Sequence, residues 1–336
     1  GAMLYNTEGF EGDITHLAFD GSNNIVLREG MTTIAWRKGE ISLPRFSFRT
    51  PNSTLQGHLH KLDYSTKDLI INAELDAHIG RADALPLMGS IGSLPNSLKD
   101  LYPTETLRIS ATVNGSLEQL QIKRCHLSLP TAFDFYLSGS LLHATHPQQR
   151  EALLQWSGTT YNLDFIKASI ATEQIVIPFG IATQGTFLYT PDTIHAQCSL
   201  ALQEGIAELE GSYRPIDRTY TVKLKTDSLN VRQILPEEEL GLVSVQADLS
   251  GKMIGYREED FRAHGKLHLN TLQWRNHTFS NTSAQIAITD STLYAQAQCQ
   301  DSLMQWDLTT CASILSDGLY AELEASVTQL DLQALQ

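Results

Sequence analysis

The sequence lacks the features that usually mark a nucleic-acid binder or a membrane-spanning protein. Only 18% of its residues are charged, and 38 Asp and Glu outnumber 24 Lys and Arg, which gives a formal net charge of −14. The basic residues form no stripe and do not alternate with aromatic residues, so binding to nucleic acid or to the headgroups of an anionic membrane is disfavoured. No window approaches the run of about 20 apolar residues that a membrane-spanning helix needs. We therefore expect a soluble chain without a nucleic-acid partner.

Cysteine is also scarce, and its spacing excludes the common zinc motifs. The cysteines are Cys125, Cys198, Cys299 and Cys311. Their separations match no metal-binding pattern. Cys299 and Cys311 are close enough in sequence to face each other across a hairpin, but unpaired buried thiols are the preferred interpretation.

Motifs that carry catalysis are absent as well. The chain has no G-x-S-x-G nucleophile motif and no glycine-rich loop of the kind that cradles phosphates. Its carboxylates are scattered, and the sequence places no pair of them together. We predict that the protein is not an enzyme and that it uses no cofactor, although a bound lipid or detergent is compatible with the pattern described next.

Strict alternation of apolar and polar residues is what the sequence has in abundance. In Val243–Met253 one side is apolar and the other is polar. The apolar side reads Val243, Val245, Ala247, Leu249, Gly251 and Met253. A period of two predicts a long strand with one apolar face and one solvated face.

A glycine on the apolar side of the strand is a recurring device. The same order of apolar residue, polar residue, glycine, polar residue and apolar residue surrounds Gly57, Gly115, Gly139, Gly211, Gly251 and Gly265. Side chains fill a core, so a glycine on the apolar side suggests a bend, or a site where another group comes close to the backbone. The spacing of these copies is uneven, so the chain is not a strict solenoid of short repeats.

Turn residues divide the chain into many short strands. Three strands are expected between residues 107 and 142, followed by a polar loop at His143–Gln149. Residues 82–103 contain Pro86, Pro95 and Pro103 and are predicted to be a loop with one or two short helical turns. Strands are expected again over Ala152–Phe165 and Gln174–Tyr189, and a helical turn within Asn230–Leu240.

The fold class predicted from this pattern is all-β. The composition does not change midway, so residues 4–336 are predicted to be one continuous repeating segment, with possible sub-units 4–68, 69–157, 158–218 and 219–336. Gly1-Ala2-Met3 has the composition of an expression remnant and is set aside.

The order of elements resembles the AsmA/TamB-like family of diderm bacteria. The recurring unit is a strand, an aspartate with an apolar residue, an apolar residue with a proline, and a strand that ends in glycine. One copy passes through Asp227-Ser-Leu229, Leu235-Pro236 and Gly251, and another through Asp164-Phe165, Ile177-Pro178 and Gly185. The resemblance covers most of the chain and rests on the order of elements rather than on a single motif.

The resemblance implies a bridge-like lipid-transfer protein. Members of this family are anchored in the inner membrane and cross the periplasm as a long U-shaped sheet, called a β-taco, whose concave apolar groove carries lipid acyl chains towards the outer membrane. It implies a single elongated, highly curved sheet with a few short helical turns, phospholipid acyl chains as ligand, and contact with the inner membrane and an Omp85-type outer-membrane barrel through other parts of a longer chain. We therefore expect an internal periplasmic fragment.

The alternation assigns candidate residues to such a groove. A sheet whose apolar face is not covered must curl, oligomerise or hold an apolar ligand. The predicted lining residues are Ile109, Val113, Val222, Leu224, Val245, Leu249, Leu267, Leu269, Ile286 and Ile288. The predicted crease glycines, where the sheet would fold over, are Gly115, Gly139, Gly251 and Gly265.

Other interpretations of the same pattern remain open. An array of β-sandwiches also alternates. A scaffold for outer-membrane proteins would bind client strands at an exposed sheet edge by β-augmentation. A carbohydrate-binding sandwich would need clustered aromatics, whereas Trp36, Trp156, Trp274 and Trp306 are dispersed. The pairs His58/His60 and His264/His268 share strand faces, but no carboxylate or cysteine completes a metal set, so we predict no metal site.

Overall fold

The computed structural model describes most of the chain and divides it into two compact units. The described residues are 3–6, 9–20, 26–37, 39–63, 70–91, 96–167, 175–253, 261–275, 277–289, 292–315 and 318–331. Unit 1 consists of Gly1–Thr172 with Tyr189–Pro191, and unit 2 of Glu173–Leu188 with Asp192–Gln336. The main boundary between the two units, at Thr172 and Glu173, lies inside the range 158–218 that the sequence analysis gave as one possible sub-unit.

Unit 1 is built on a long antiparallel meander. Its strands are β1 (Met3–Asn6), β2 (Gly9–Ile14), β3 (Phe19–Asp20), β4 (Val26–Leu27), β5 (Glu29–Arg37), β6 (Glu40–Arg49), β7 (Ser53–Asp63), β8 (Ile70–Ile79), β9 (Leu107–Ser116), β10 (Gln119–Leu129), β11 (Phe133–Leu142) and β12 (Glu151–Thr160). Each strand pairs with the next in the order β1, β2, β5, β6, β7, β8, β9, β10, β11 and β12. The short strands β3 and β4 pair only with each other. The three strands predicted between residues 107 and 142, and the loop after them, are confirmed.

Helices close one end of the unit 1 sheet. They are α1 (Arg81–Ile91), α2 (Asn96–Leu101) and α3 (Asp164–Lys167). The buried residues that join them to the strand ends are Ala84, Tyr102, Leu129, Ala132 and Phe165. We call this group the cap core. Leu129 and Ala132 are completely inaccessible to solvent, so the tightest packing in unit 1 lies at the end of its sheet rather than over its faces.

The helix α1 is longer than the sequence predicted. Pro86 lies inside it, and the sequence analysis interpreted that proline as a loop signal. Two contacts outweigh the helix penalty of proline. Ala84 is buried in the cap core, and the Asp83 carboxylate accepts hydrogen bonds from the hydroxyls of Thr50 and Ser53, the latter at 2.6 Å. The prediction that strand structure continues to Phe165 is wrong for the same reason. The strand β12 ends at Thr160, and Phe165 of α3 is buried in the cap core.

Unit 2 repeats the antiparallel meander, and its longest strands have 14 residues. Its strands are β13 (Ala182–Tyr189), β14 (Ile194–Ala201), β15 (Ile206–Arg214), β16 (Thr219–Asp227), β17 (Leu229–Asn230), β18 (Leu240–Met253), β19 (Phe261–Trp274), β20 (His277–Thr289), β21 (Thr292–Gln300), β22 (Met304–Leu315) and β23 (Gly318–Leu330). From β14 onwards each strand pairs with the next, except that β16 pairs with β18 and the short β17 extends that contact.

A single 3-10 turn, Val231–Gln233, follows β17 and confirms the helical turn predicted within Asn230–Leu240. Gln174, where a strand was predicted to begin, lies outside the described residues. Residues 175–181 are not in a strand, and β13 begins at Ala182.

The all-β prediction is confirmed, and every described strand pair is antiparallel. Among the described residues no helix is both long enough and apolar enough to cross a membrane. All four cysteines are free. Cys299 is opposite Trp306 and Cys311 is opposite Tyr294, so the two cysteines do not face each other across the hairpin. Cys311 is exposed rather than buried.

Candidate functional site

The register of unit 2 aligns apolar residues into continuous rows across its strands. One row, in order from β14 to β23, is Cys198, Leu209, Leu224, Ala247, Leu267, Ala284, Ala297, Leu308 and Ala325. The next row is Ala196, Gly211, Val222, Leu249, Gly265, Ile286, Ala295, Thr310 and Leu323. We call the side of the sheet that carries these two rows the unit 2 apolar face.

The opposite side of the same strands is mostly polar, with Ala287, Tyr294 and Cys311 as neighbours in one of its rows. The row between the two apolar rows is Gln197, Glu210, Lys223, Asp248, Lys266, Gln285, Gln296, Thr309 and Glu324. Lys223 Nζ lies 3.6 Å from a carboxylate oxygen of Glu210. Both side chains are solvent-exposed, and such ion pairs contribute little stability. This face is therefore the solvated side of the sheet.

The unit 2 apolar face is only partly shielded from solvent. Leu249, Leu267 and Ile286 lie on central strands, yet they are 40%, 39% and 44% exposed. In a closed β-sandwich, inward side chains at such positions interdigitate with a second sheet and are buried. The exposures are incompatible with a sandwich over this part of unit 2. An apolar surface of this kind in a soluble protein usually marks a binding site.

The structure brings most of the predicted lining residues together on this face. Val222 is directly opposite Leu249, and Val245 is directly opposite Leu269. The lining residues that share the unit 2 apolar side are Val222, Leu224, Val245, Leu249, Leu267, Leu269, Ile286 and Ile288. Ile109 and Val113 lie instead on β9 of unit 1. The role of these residues in holding lipid stays a prediction.

The predicted crease glycines have different surroundings. Gly115 has a φ of +119° beside the β9–β10 turn, a conformation that favours glycine. A Cβ on Gly139 would lie 2.2 Å from the Leu153 carbonyl oxygen, and a Cβ on Gly251 would lie 2.1 Å from that of Arg262. A Cβ on Gly265 would meet nothing closer than Leu249 Cδ1 at 3.5 Å. Whether the sheet folds over at these positions stays a prediction, but a Cβ at Gly265 would fit at ordinary van der Waals distances.

Unit 1 has an apolar face of its own, which its side chains fill more completely. One of its rows is Phe46, Gly57, Leu75, Ala111, Cys125, Leu137 and Trp156. The next is Phe48, Leu55, Ala77, Ile109, Leu127, Phe135 and Gly158. No large apolar side chain of these two rows is among the exposed ones.

Aromatic rings in unit 1 occupy the space beside glycines on the neighbouring strand. A Cβ on Gly158 would lie 2.4 Å from Cδ1 of Phe135, and one on Gly57 would lie 2.8 Å from Cζ of Phe46. The rings therefore use the volume that the missing side chains leave, and this part of the face offers less room to a ligand.

A polar pocket at one end of unit 2 was missed by the sequence analysis. It has a volume of about 330 Å³ and is lined by Glu204, Asn230, Arg232, Gly241, Leu242, Gln273 and Arg275. We call it the rim pocket. Its residues come from strand ends and turns that are far apart in sequence, so no local motif could have revealed it.

Hydrogen bonds and a ring contact position the side chains of the rim pocket. Arg275 Nε donates to the Glu239 carboxylate, and its guanidinium lies 5.0 Å from the centre of the Trp274 ring. Asn230 Nδ2 donates to Glu204 at 2.7 Å. Gln273 lies over Gly241, where a Cβ would come within 2.5 Å of its Oε1 atom.

Histidine side chains make polar and ring contacts at two places in unit 1. Glu118 accepts a hydrogen bond from His143 at 2.6 Å and lies 3.2 Å from His146. The hydrogen bond from His143 lowers the pKa of the Glu118 carboxyl despite partial burial. The rings of His58 and His60 stack at 5.8 Å. Among the residues that the structure describes, no three His, Cys, Asp or Glu side chains are arranged to hold a metal ion.

Comparison with known proteins yields no relative. No family model, curated protein or solved structure matches the chain significantly. The resemblance to the AsmA/TamB-like family therefore remains a prediction from the sequence, and the function has to be argued from the geometry of the two units.

Proposed function

We propose that this chain is a non-enzymatic lipid-transport segment that holds phospholipid acyl chains on its apolar faces, chiefly on that of unit 2. The observation that carries the proposal is the exposure of Leu249, Leu267 and Ile286 on central strands of a sheet whose other side is mostly polar. Hydrocarbon would remove this surface from water. Each buried methylene contributes about 0.8 kcal/mol without requiring a specific headgroup.

The shape of the surface suits an acyl chain better than a compact ligand. The apolar rows extend across many neighbouring strands, which are spaced about 4.8 Å apart. Small side chains such as Ala247, Ala284 and Ala297 lie between the leucines in one row. A long, shallow surface with low side chains accommodates an extended hydrocarbon, and from β15 to β21 its two rows contain no polar side chain that would fix one position along it.

The resemblance to the AsmA/TamB-like family adds a cellular location and partners to the proposal. The segment would work in the periplasm of a diderm bacterium, between the inner and the outer membrane. A longer chain would supply the inner-membrane anchor and contact an Omp85-type outer-membrane barrel.

The test measures lipid bound to the purified chain and to variants with a carboxylate on the apolar face. Leu267→Glu and Val245→Asp place an unpaired charge on the apolar face, where burial under hydrocarbon is strongly unfavourable. We expect phospholipid to copurify in stoichiometric amounts with the wild type and to be lost from both variants, as quantified by native mass spectrometry and lipid extraction. Circular dichroism should show that the strands still form.

Matched controls place the same charges on the solvated face. Gln285→Glu lies beside Ile286, and Gln246→Asp follows Val245. Both should carry lipid as the wild type does. Normal lipid content in Leu267→Glu would show that the lining assignment is wrong.

The alternative function is a scaffold that binds client strands of outer-membrane proteins by β-augmentation. Strand β23 favours it, because β22 is the only described strand with register pairs to it and the described residues 320–331 are exposed along its whole length. A sheet edge of this kind is a template for another strand. Absence of copurified lipid, together with protection of β23 amides from hydrogen exchange on adding a client peptide, would favour the scaffold over the conduit.

A further inference from the structure

Strand β23 repeats a short sequence of strand β15. Residues Ala207–Glu210 of β15 and Ala321–Glu324 of β23 both read Ala-Glu-Leu-Glu. In each strand the leucine belongs to one of the two rows of the unit 2 apolar face, so both glutamates lie on the solvated side. The two strands therefore offer the same alternation of carboxylate and leucine to a strand that lies beside them.

The glutamates of β15 are matched by lysines on the strand that follows. Lys225 Nζ lies 3.9 Å from the Glu208 carboxylate, and Lys223 Nζ lies 3.6 Å from the Glu210 carboxylate. The leucines between the charges are also directly opposite each other. The complement of the Ala-Glu-Leu-Glu sequence within this molecule is therefore Val222–Lys225, which reads Val-Lys-Leu-Lys.

The glutamates of β23 have no cation opposite them. On β22, Cys311 is opposite Glu322, and Thr309 is opposite Glu324. Residues 276–336 contain seven carboxylates and no Lys or Arg, so β20 to β23 supply neither. A cation that pairs with these glutamates as the lysines of β16 pair with those of β15 has to come from a strand on the other flank of β23.

That flank of β23 is open among the described residues. Leu323 and Val327 are 67% and 61% exposed, whereas Leu249 and Leu267, which have strands on both flanks, are 40% and 39% exposed. An edge strand also presents a row of backbone N–H and C=O groups that a further strand can pair with. An added strand would cover the leucine and the valine and satisfy these backbone groups.

A second copy of β23 is a poor occupant of this edge. Antiparallel pairing centred on Leu323 would place Glu322 of each copy opposite Glu324 of the other. Pairing centred on either glutamate would place that residue opposite its own copy. Like charges directly opposite each other on neighbouring strands are destabilising. The glutamates therefore oppose self-association and favour a partner of the opposite charge.

From these observations we propose that β23 binds an extended segment of another protein in which Lys or Arg alternates with apolar residues. The cations of the segment lie opposite Glu322 and Glu324 on the solvated side, and its apolar residues extend the unit 2 apolar face. The net charge of −14 attracts such a partner at long range. The inference rests on the alternative function, addition of a strand at β23, and it does not depend on lipid binding.

The experiment uses a synthetic peptide with the sequence of Thr219–Asp227, which contains Lys223 and Lys225. Two control peptides carry glutamine or glutamate in place of both lysines. Each is titrated into the whole purified chain, and binding is measured by calorimetry and by protection of β23 amides from hydrogen exchange. We expect the lysine peptide to protect β23, the glutamine peptide to bind about fivefold more weakly, and the glutamate peptide more weakly still, because cross-strand charge pairs stabilise and like charges destabilise.

A charge reversal on the chain should exchange the preference. The double variant Glu322→Lys with Glu324→Lys should bind the glutamate peptide better than the lysine peptide. The matched control, Glu237→Lys with Glu238→Lys, makes the same change in net charge on the loop before β18 and should retain the preference of the wild type. A double variant at β23 that still prefers the lysine peptide would contradict the proposal.

The remaining outcomes separate this proposal from the two proposed functions. Equal binding of the three peptides would overturn the charge pattern but leave strand addition at β23 intact. Absence of protection with every peptide would overturn strand addition as well. Protection of β23 amides in a peptide-free dimer would show that a second copy is the occupant. Copurified lipid, measured on the same samples, tests the lipid-transport proposal independently of these results.

Discussion

The two units use the same antiparallel meander but treat its apolar side differently. In unit 1, rings such as those of Phe46 and Phe135 fill the space beside glycines of the next strand, and helices close one end through the cap core. In unit 2, alanines alternate with leucines, and Leu249, Leu267 and Ile286 remain about two-fifths exposed. The contrast teaches that side-chain volume on the apolar face, rather than strand pairing, decides whether a sheet buries its own surface or leaves it for a ligand.

The largest effect is expected where unit 1 is packed most tightly. Leu129→Ala removes a completely buried side chain from the cap core and should lower the free energy of unfolding by about 2–5 kcal/mol. Leu267→Ala, on the open face of unit 2, should lower it by about 1 kcal/mol or less because that side chain is already partly in water. Urea unfolding, with hydrogen exchange resolving each unit, measures both. Similar losses in the two variants would break the contrast.

A second pair of variants examines the glycines of the two faces. Gly139→Ala forces a Cβ to within 2.2 Å of a carbonyl oxygen, and such overpacking should destabilise unit 1 by about 1–3 kcal/mol. Gly265→Ala finds its nearest neighbour at 3.5 Å and should change stability by less than about 0.5 kcal/mol. Thermal unfolding followed by circular dichroism compares them. A strongly destabilised Gly265→Ala would mean that a methyl group does not fit at this position.

A larger side chain on the unit 2 apolar face should leave less room for lipid, as the aromatic rings do in unit 1. Ala297→Phe places a ring in the row of the unit 2 apolar face that contains Leu267 and Leu308. We expect the amount of bound lipid to fall roughly fourfold for each methylene group displaced, because each contributes about 0.8 kcal/mol to binding. The adjacent Gln296→Phe, on the solvated side, is the control and should retain lipid. Quantitative lipid extraction is the measurement, and equal lipid content in the two variants would argue against occupation of this row.

The smallest effect concerns the pH dependence of unit 2. Burial raises the pKa of Asp301, but hydrogen bonds from Leu303 N at 2.8 Å and from Ser280 outweigh it, so the pKa lies below its usual value. A carboxyl with a lowered folded-state pKa stabilises the fold above its unfolded pKa of about 3.9 and loses that contribution as the pH falls through the folded value. Asp301→Asn should therefore be less stable than the wild type at neutral pH, and the difference should shrink below about pH 4. A constant difference across this range, by urea unfolding, would contradict the assignment.

The elements that the sequence predicted well are those with a local cause. Alternation over 107–142 and over Val243–Met253 places each side chain on one of two faces without reference to the rest of the chain, and the strands found there agree. The failures have tertiary causes. Proline and glycine in residues 82–103 predict a loop with one or two short helical turns, but burial of Ala84 in the cap core stabilises the longer helix α1 around Pro86.

The candidate site also has some features that the sequence predicts and others that depend on tertiary structure. The sequence alone determined which residues share a face, because the period of two is a property of each strand, and so it selected the candidate lining residues, whose role stays a prediction. Only the tertiary structure decided which strands are neighbours and in what register, and therefore that Leu224, Ala247 and Leu267 form one row. It also decided that Arg232 and Arg275 meet at one pocket, because register and loop packing depend on contacts between residues that are distant in sequence.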